Sequence, residues 1–461
     1  MAKMPRARSL KTIAVLAAFL AALPAAGDAV GSRPAGGRTK RVTLPPQRTA
    51  PLSRAERPLV VRRGPRYAPG RVLVRFRPEV PEAYAEGLLA SYGFPSFRRI
   101  RGIGVYSVET APGASVLETL AMLRRNGDIE KARPDYRARL ADVPNDPYFA
   151  GYQYALRNPG GVLAISPSVQ PQMTAGADIK ATAAWDAVKG DPELIIAILD
   201  TGLDLAHPDL ATKVYSSGYD FANEDDEADD DHWHGTHVAG VAAADTGNAV
   251  GIAGVAWNCK LLPVKVTDAS GDGYYSWIID GIIWAVDEGA DVINISMGGE
   301  YDDAFLEDAC KYAFDRGVVV VAAAGNDGGA GVLYPAAYDD YVLAVAASDY
   351  DDEIVSWSNY GPQVDVAAPG VYILSTAPRA YVGPGNPPYL FASGTSMASP
   401  HVAGLAALIK SLKPGLSAAD VMNVIRYTAD DINAATAPGF DDHAGYGRVN
   451  MERALTPYII R

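Results

Sequence analysis

The amino-acid sequence predicts an α/β fold with a doubly wound, mostly parallel sheet, preceded by a small α+β domain. Two observations carry this. From about residue 180, short continuous apolar runs alternate with stretches of helical periodicity, the pattern of a parallel sheet covered by helices on both faces. Before that, alternating strand-like runs and one amphipathic stretch fit a compact unit of about 75 residues, within the usual domain range. Charge divides the chain at the same place. Residues 1–140 carry 26 Lys+Arg against 10 Asp+Glu, a net of +16, whereas residues 141–461 carry 15 against 44, a net of −29.

Each segment has its own signature. Lys3, Arg6, Arg8 and Lys11 precede the apolar stretch 13–23, and Ala25, Ala26, Gly27 and Ala29 follow it, so residues 1–29 read as an export signal. The stretch is too short to span a bilayer, and no other run is apolar enough. The expected destination is extracellular or periplasmic, with no stable membrane anchor after signal cleavage. Residues 30–66, rich in Pro, Arg and Gly without periodicity, read as a linker. In the domain predicted over 67–140, residues 71–76 and 104–108 alternate like strands, and 116–125 has helical spacing. In the second domain, 141–461, the strands fall at 194–199, 292–295 and 318–323, and the helices at 277–288 and 305–316.

The 461 residues are 48% apolar and 21% charged, enough for a sizeable core. That balance excludes a collagen, a coiled coil or bulk disorder. The basic front half comes without a groove-reading motif or interleaved aromatics, so no nucleic-acid partner is expected. Cys259 and Cys310 sit beside no catalytic motif, and sequence leaves their pairing open.

Three segments carry chemistry. The apolar strand ends in Asp200-Thr201-Gly202; His234-Gly235-Thr236-His237 follows; Gly394-Thr395-Ser396-Met397-Ala398-Ser399-Pro400 comes last. A serine hydroxyl is a weak nucleophile that needs an adjacent base. Histidine supplies one near neutral pH, and a buried carboxylate fixes its tautomer and stabilises the cation that forms. Asp200 ends a parallel strand, where open α/β sheets place ligands. Ser396 precedes the apolar-periodic run 402–409, so it belongs at a helix N-terminus, whose N–H groups favour a developing oxyanion.

These segments, in this order, resemble the subtilisin family over roughly residues 143–455, with a leaning toward thermitase-like members. The resemblance implies a subtilisin-like secreted serine endopeptidase with Asp200, His234 and Ser396 as its triad and Asn326 as the second oxyanion donor. His234 is then the base and His237 structural. A zinc site on His232, His234 and His237 is the rival reading of that histidine cluster. An α/β-hydrolase would require Gly-x-Ser-x-Gly with the serine first in chain order, which is not found.

The resemblance also implies substrates and partners. Gly271 and Gly273 on one side, and Ser296, Met297 and Gly298 on the other, would clamp an extended protein or peptide substrate by strand addition. Ser296–Gly298, Ala324, Gly325 and Leu333 would form the specificity pocket, with a preference for apolar or aromatic residues before the cut. Calcium would be held by Asp146, Asp209 and Asn248, with the carbonyls of Asp245, Val250 and Ile252, in the oxygen-rich manner it prefers. The alternating Asp220, Asn223, Asp225, Glu227 and Asp229 suggest a second calcium site. Residues 67–140 resemble the family's inhibitory propeptide, the chain's own intramolecular inhibitor, and the opposed charges favour that association. A self-processed precursor, cut between about Leu140 and Pro144, is the expected product.

Overall fold

The computed structural model describes residues 67–111, 113–136 and 143–456. The expected signal at 1–29, the linker at 30–66 and residues 140–142 of the cleavage window lie outside the described residues. The chain divides into two compact units. The larger holds Pro144–Ala181 and Val188–Ala454, and the smaller is centred on a four-stranded sheet between Tyr67 and Tyr136. No helix among the described residues is long and apolar enough to cross a membrane.

In the smaller unit the strands lie in the order Phe97–Ile100, Val105–Glu109, Tyr67–Phe76 and Ile129–Tyr136, all antiparallel. Alternation sends Val72, Val74, Phe76, Tyr106 and Val108 into a core shared with Leu89 of helix Glu82–Ser91 and Leu120 and Leu123 of helix Val116–Leu123. The first of these helices is not legible in the sequence, because it buries only Ala85 and Leu89.

The larger unit holds a seven-stranded parallel sheet. Its spatial order is Val364–Pro369, Val342–Ser348, Val319–Ala323, Val292–Ile295, Ile195–Asp200, Lys260–Lys265 and Tyr219–Asp220. Its central strands read as unbroken apolar runs because both faces are covered. Ile195, Ala197 and Leu199 join the core formed with helices Tyr275–Asp287 and Ala304–Asp315. The even-numbered residues of that strand, Asp200 included, point the other way, toward helices His234–Ala243 and Thr395–Leu412. The chain builds outward from Ile195–Asp200 in one direction and then, at Val292–Ile295, in the other. The topological switch therefore lies between these two strands, where open α/β sheets form a crevice beyond the strand ends. Cys259 and Cys310 are both buried and unpaired.

Close packing fixes the two helices on that face. A Cβ at Gly404 would stand 2.6 Å from Val255 Cβ and 2.9 Å from the Ala242 carbonyl oxygen of the His234 helix. Overpacking of this kind costs about 1–3 kcal/mol, against the roughly 1 kcal/mol that alanine gains over glycine inside a helix. Gly404→Ala is therefore expected to lower the melting temperature of the full chain; calorimetry showing a rise would contradict the close approach.

Candidate active site

Asp200 closes its strand fully buried. Its Oδ1 accepts hydrogen bonds from His234 Nδ1 at 2.7 Å and from the Thr201 N–H at 2.8 Å. A carboxylate only accepts, so Nδ1 carries the proton and Nε2 is left with its lone pair. Asp200 Oδ2 is buried with no hydrogen-bond partner among the described residues. Burial alone would drive His234 toward neutrality, but the charge and hydrogen bond of Asp200 outweigh it and hold its pKa above the ordinary histidine value. The side chain remains 20% exposed, so substrate can reach it. The backbone permits this approach because residue 235 is glycine: a Cβ there would lie 2.1 Å from the Gly202 carbonyl oxygen and 3.1 Å from Asp200 Cβ.

His237, three residues on, is fully buried, bonds the Ile373 carbonyl through Nε2, and is pushed down to about 3 by burial. It is a neutral packing residue. His232 stacks on Trp233. Among the described residues no group of three or more His, Cys, Asp or Glu side chains converges as a metal centre, so the three histidines do not form a zinc site.

Ser396 is the second residue of its helix, as its sequence context predicts. Its hydroxyl donates to the Ser296 carbonyl at 2.9 Å, not to His234. The expected hydroxyl–imidazole–carboxylate sequence is thus formed on the carboxylate side, while the hydroxyl rests on the neighbouring carbonyl. The hydroxyl has one proton to give, and the Ser296 carbonyl lies just past the strand end that pairs, through Ile295 and Leu199, beside Asp200. A proline inside the helix shapes this corner. Pro400 has no N–H for the Ser396 carbonyl four residues back, and the Ser296 hydroxyl supplies the missing donor at 3.0 Å. Asn294 donates to that hydroxyl at 2.9 Å and accepts from Ser399 at 2.7 Å, completing a buried polar chain from strand to helix.

Asn326 is turned by Thr395, whose N–H and hydroxyl both donate to its Oδ1. A Cβ at Gly394 would sit 3.6 Å from Ser396 N and 3.8 Å from Asn326 Nδ2. The Ser396 backbone nitrogen and the Asn326 amide nitrogen thus both lie within 4 Å of one point beside Gly394.

The segments expected to form the pocket also meet. A Cβ on Gly298 would stand 2.9 Å from Leu333 Cβ, and one on Gly325 would stand 2.9 Å from Leu333 Cγ. The Leu333 N–H donates to the Ala324 carbonyl, while Gly299 and Tyr334 exchange backbone bonds. Ser296 is buried and Met297 packs on the core. Gly271 lies against His232, and Gly273 against the Val266 carbonyl. Tyr275, just beyond, reaches Gly299, so the two glycine-rich segments adjoin.

Asp146 and Asp209 are buried on the loop 245–252. The Gly247 N–H donates to both Asp146 oxygens, at 3.0 and 2.9 Å. Asn248 bridges the carboxylates, donating from its backbone to Asp146 and from Nδ2 to Asp209 at 2.8 Å. Ile252 N–H and Tyr389 also donate to Asp209. Burial raises both carboxyls, Asp209 to about 6. Among the described residues no Lys or Arg forms an ion pair with either carboxyl; N–H and hydroxyl donors of the surrounding chain meet both. The Asp245 side chain accepts from Thr212, and the Val250 N–H donates to Asn248 Oδ1. The second expected set does not assemble. Asp220 is buried and folds back onto the N–H groups of Ala222 and Asn223 and the Asn223 amide, whereas Asn223, Asp225, Glu227 and Asp229 lie exposed along the loop. Local donors satisfy Asp220, and Asp225 and Asp229 accept from the Glu227 and Leu205 N–H groups.

Residues around the triad segments that the sequence reading missed are Asn294, Asp230 and Lys265. All three are buried; Asn294 and Lys265 are flanked by apolar neighbours, whereas Asp230 lies within the acidic run Asp229-Asp230-Asp231. A polar residue set inside an apolar strand, or ending one, was the available signal for Asn294 and Lys265 respectively.

Comparison with known proteins agrees with this geometry. The Subtilase family profile matches residues 191–447, and the Fervidolysin N-terminal prodomain profile matches 55–135. The chain is 42% identical over 394 residues to a thermophilic serine proteinase of Bacillus sp. (strain AK1), covering 85% of this chain and 88% of that relative. It is 43% identical over 313 residues to thermitase of Thermoactinomyces vulgaris, covering 68% of this chain and 99% of that relative. A solved protease structure from Pseudoalteromonas arctica superposes with a TM-score of 0.57 at 32% identity, over 68% of this chain and 99% of that one. The chain therefore belongs to the subtilase family, a serine-type endopeptidase on a doubly wound parallel sheet with a fervidolysin-type prodomain on its N-terminal side.

Proposed function

We propose that the chain is an exported endopeptidase, made as a self-processing precursor, in which Ser396 attacks the scissile carbonyl of a protein or peptide. The observation that carries this is the 2.7 Å hydrogen bond from His234 to buried Asp200 at the sheet's switch point, beside the helix that carries Ser396 in its first turn. A rotation about the Ser396 Cα–Cβ bond moves its hydroxyl from the Ser296 carbonyl to His234 Nε2. The imidazole then takes the proton as the serine oxygen attacks, and Asp200 stabilises the imidazolium. The oxyanion enters the space between Ser396 N–H and Asn326 Nδ2. Proton return from Nε2 expels the amine, and water repeats the sequence on the acyl-enzyme. Gly298, Gly325 and Leu333, which lie together, would line the specificity pocket and favour an apolar or aromatic residue before the cut. Calcium, held by Asp146, Asp209 and Asn248 with nearby carbonyls, would neutralise the paired carboxylates and tie the segment at Asp146 to loop 245–252.

The prodomain profile and the opposed charges of the two halves support the front unit as an inhibitor that the mature enzyme removes. The apolar stretch at 13–23 supports export. Ser396→Ala is expected to accumulate unprocessed precursor and to resist fluorophosphonate labelling; efficient maturation of that variant would refute self-processing. Asn326→Ala should lower kcat by about a hundred- to a thousandfold with little change in KM, as read by hydrolysis of a chromogenic peptide.

The pH dependence follows from His234. Because its pKa is raised, the inactive imidazolium persists to higher pH than for an ordinary histidine, and kcat/KM climbs as pH rises through that value. Asp200→Asn should move this acid limb to lower pH while cutting kcat by about ten-thousandfold. Excess EDTA should lower the melting temperature, since a ligand at a hundred times its Kd contributes about 2.7 kcal/mol to stability. An unchanged melting curve would count against the calcium site.

A further inference from the structure

We propose that Asp230 is a positioning residue for catalysis, a second buried carboxylate that sets the placement of Asp200 against His234 through Thr201 and Thr236. It lies four residues before His234 and is 8% exposed. Four donors converge on it. Thr201 Oγ1 and the His232 N–H donate to Oδ1 at 2.8 and 3.0 Å. The Thr236 N–H and Oγ1 donate to Oδ2 at 3.0 and 2.5 Å. Thr201 directly follows Asp200, and its N–H is one of the two donors on Asp200 Oδ1. Thr236 lies in the first turn of the helix that begins at His234. The Thr201 hydroxyl, having donated to Asp230, accepts from the Gly235 N–H at 2.9 Å. One carboxylate thus closes a loop of hydrogen bonds between the end of the Asp200 strand and the start of the His234 helix. Only an acceptor-only group meets four donors without conflict.

The ionisable groups facing this clamp are few. His232 and Asp231 flank it on its own loop, His234 and Asp200 lie across it, and Lys265 on the adjoining strand donates to the Thr201 carbonyl and to Asp231. The negative charge of Asp230 also adds to that of Asp200 in holding a proton on His234. A displacement of about 1 Å between reacting groups can cost on the order of a hundredfold in rate, so the clamp is expected to matter to turnover more than to substrate binding.

The inference rests on the triad reading, which fluorophosphonate labelling of Ser396 tests separately. Rates are taken per active site titrated with that probe, so misfolded enzyme does not contribute. Asp230→Asn in the full, matured chain should lower kcat by roughly ten- to a hundredfold, leave KM nearly unchanged and move the acid limb of kcat/KM to lower pH. Thr236→Val, which keeps the charge and removes one donor, should lower kcat without moving that limb, and Thr236→Ser should restore it. Wild-type kcat and an unmoved acid limb in Asp230→Asn would overturn the proposal. If that variant does not fold, wild-type kcat in Thr236→Val would overturn it equally. Labelled wild type with an unaffected Asp230→Asn would sink the clamp alone and leave the triad standing.

Discussion

The hydrogen bond between His234 and Asp200 holds an ionisable carboxylate where no solvent reaches it. Burying such a charge is costly unless donors are brought to it. Two face Oδ1, and Oδ2 is left bare, so a cation forming on the imidazole is the natural complement to the remaining charge. Strand polarity puts Asp200 at the carboxyl end, and the even register of the strand turns it toward the helix face. The reversal of strand order opens a crevice at that point. Position, direction and access all follow from one parallel sheet.

The Ser396 helix shows how a polar site is built into an apolar core. Its first four turns are buried, and small residues let it cross the His234 helix closely. Pro400 weakens the helix ladder at the residue that carries the nucleophile, and the Ser296 hydroxyl makes good the loss. Asn294 and Ser399 complete the pairing, so every buried polar group on this path has a partner. The same strand end supplies the carbonyl on which the Ser396 hydroxyl rests. Ser296 and Ser396 are thereby coupled through each other's backbone carbonyls, which is stiffer than coupling through long side chains.

The acidic excess of the larger unit resolves into unlike environments. Exposed carboxylates on loop 220–229 are solvated or bonded to their own backbone. Asp146 and Asp209 instead share one loop without a basic partner among the described residues, and burial works against their charge. Composition makes these groups look alike. Burial and convergence separate them, which is why alternating acidic residues at 220–229 suggested an ion site and the fold does not assemble one.

Periodicity alone placed strands at 194–199, 292–295 and 318–323 and helices at 277–288 and 305–316, each close to where the fold forms them, because unbroken apolar runs of strand length survive only where both faces are covered. Residue type and order singled out Asp200, His234, Ser396 and Asn326 as candidates, since few side chains can serve as acid, base, nucleophile or amide donor. Helix Glu82–Ser91 stayed hidden because it buries too little apolar surface to leave a pattern. What sequence left open was which polar groups meet. The resting direction of the Ser396 hydroxyl, the failure of one acidic cluster to converge, and the link from Asp230 to both Asp200 and His234 depend on contacts between residues distant in the chain or on loop geometry. Such contacts are set by burial and by the demand that every buried donor find an acceptor, and those conditions exist only after the chain has folded.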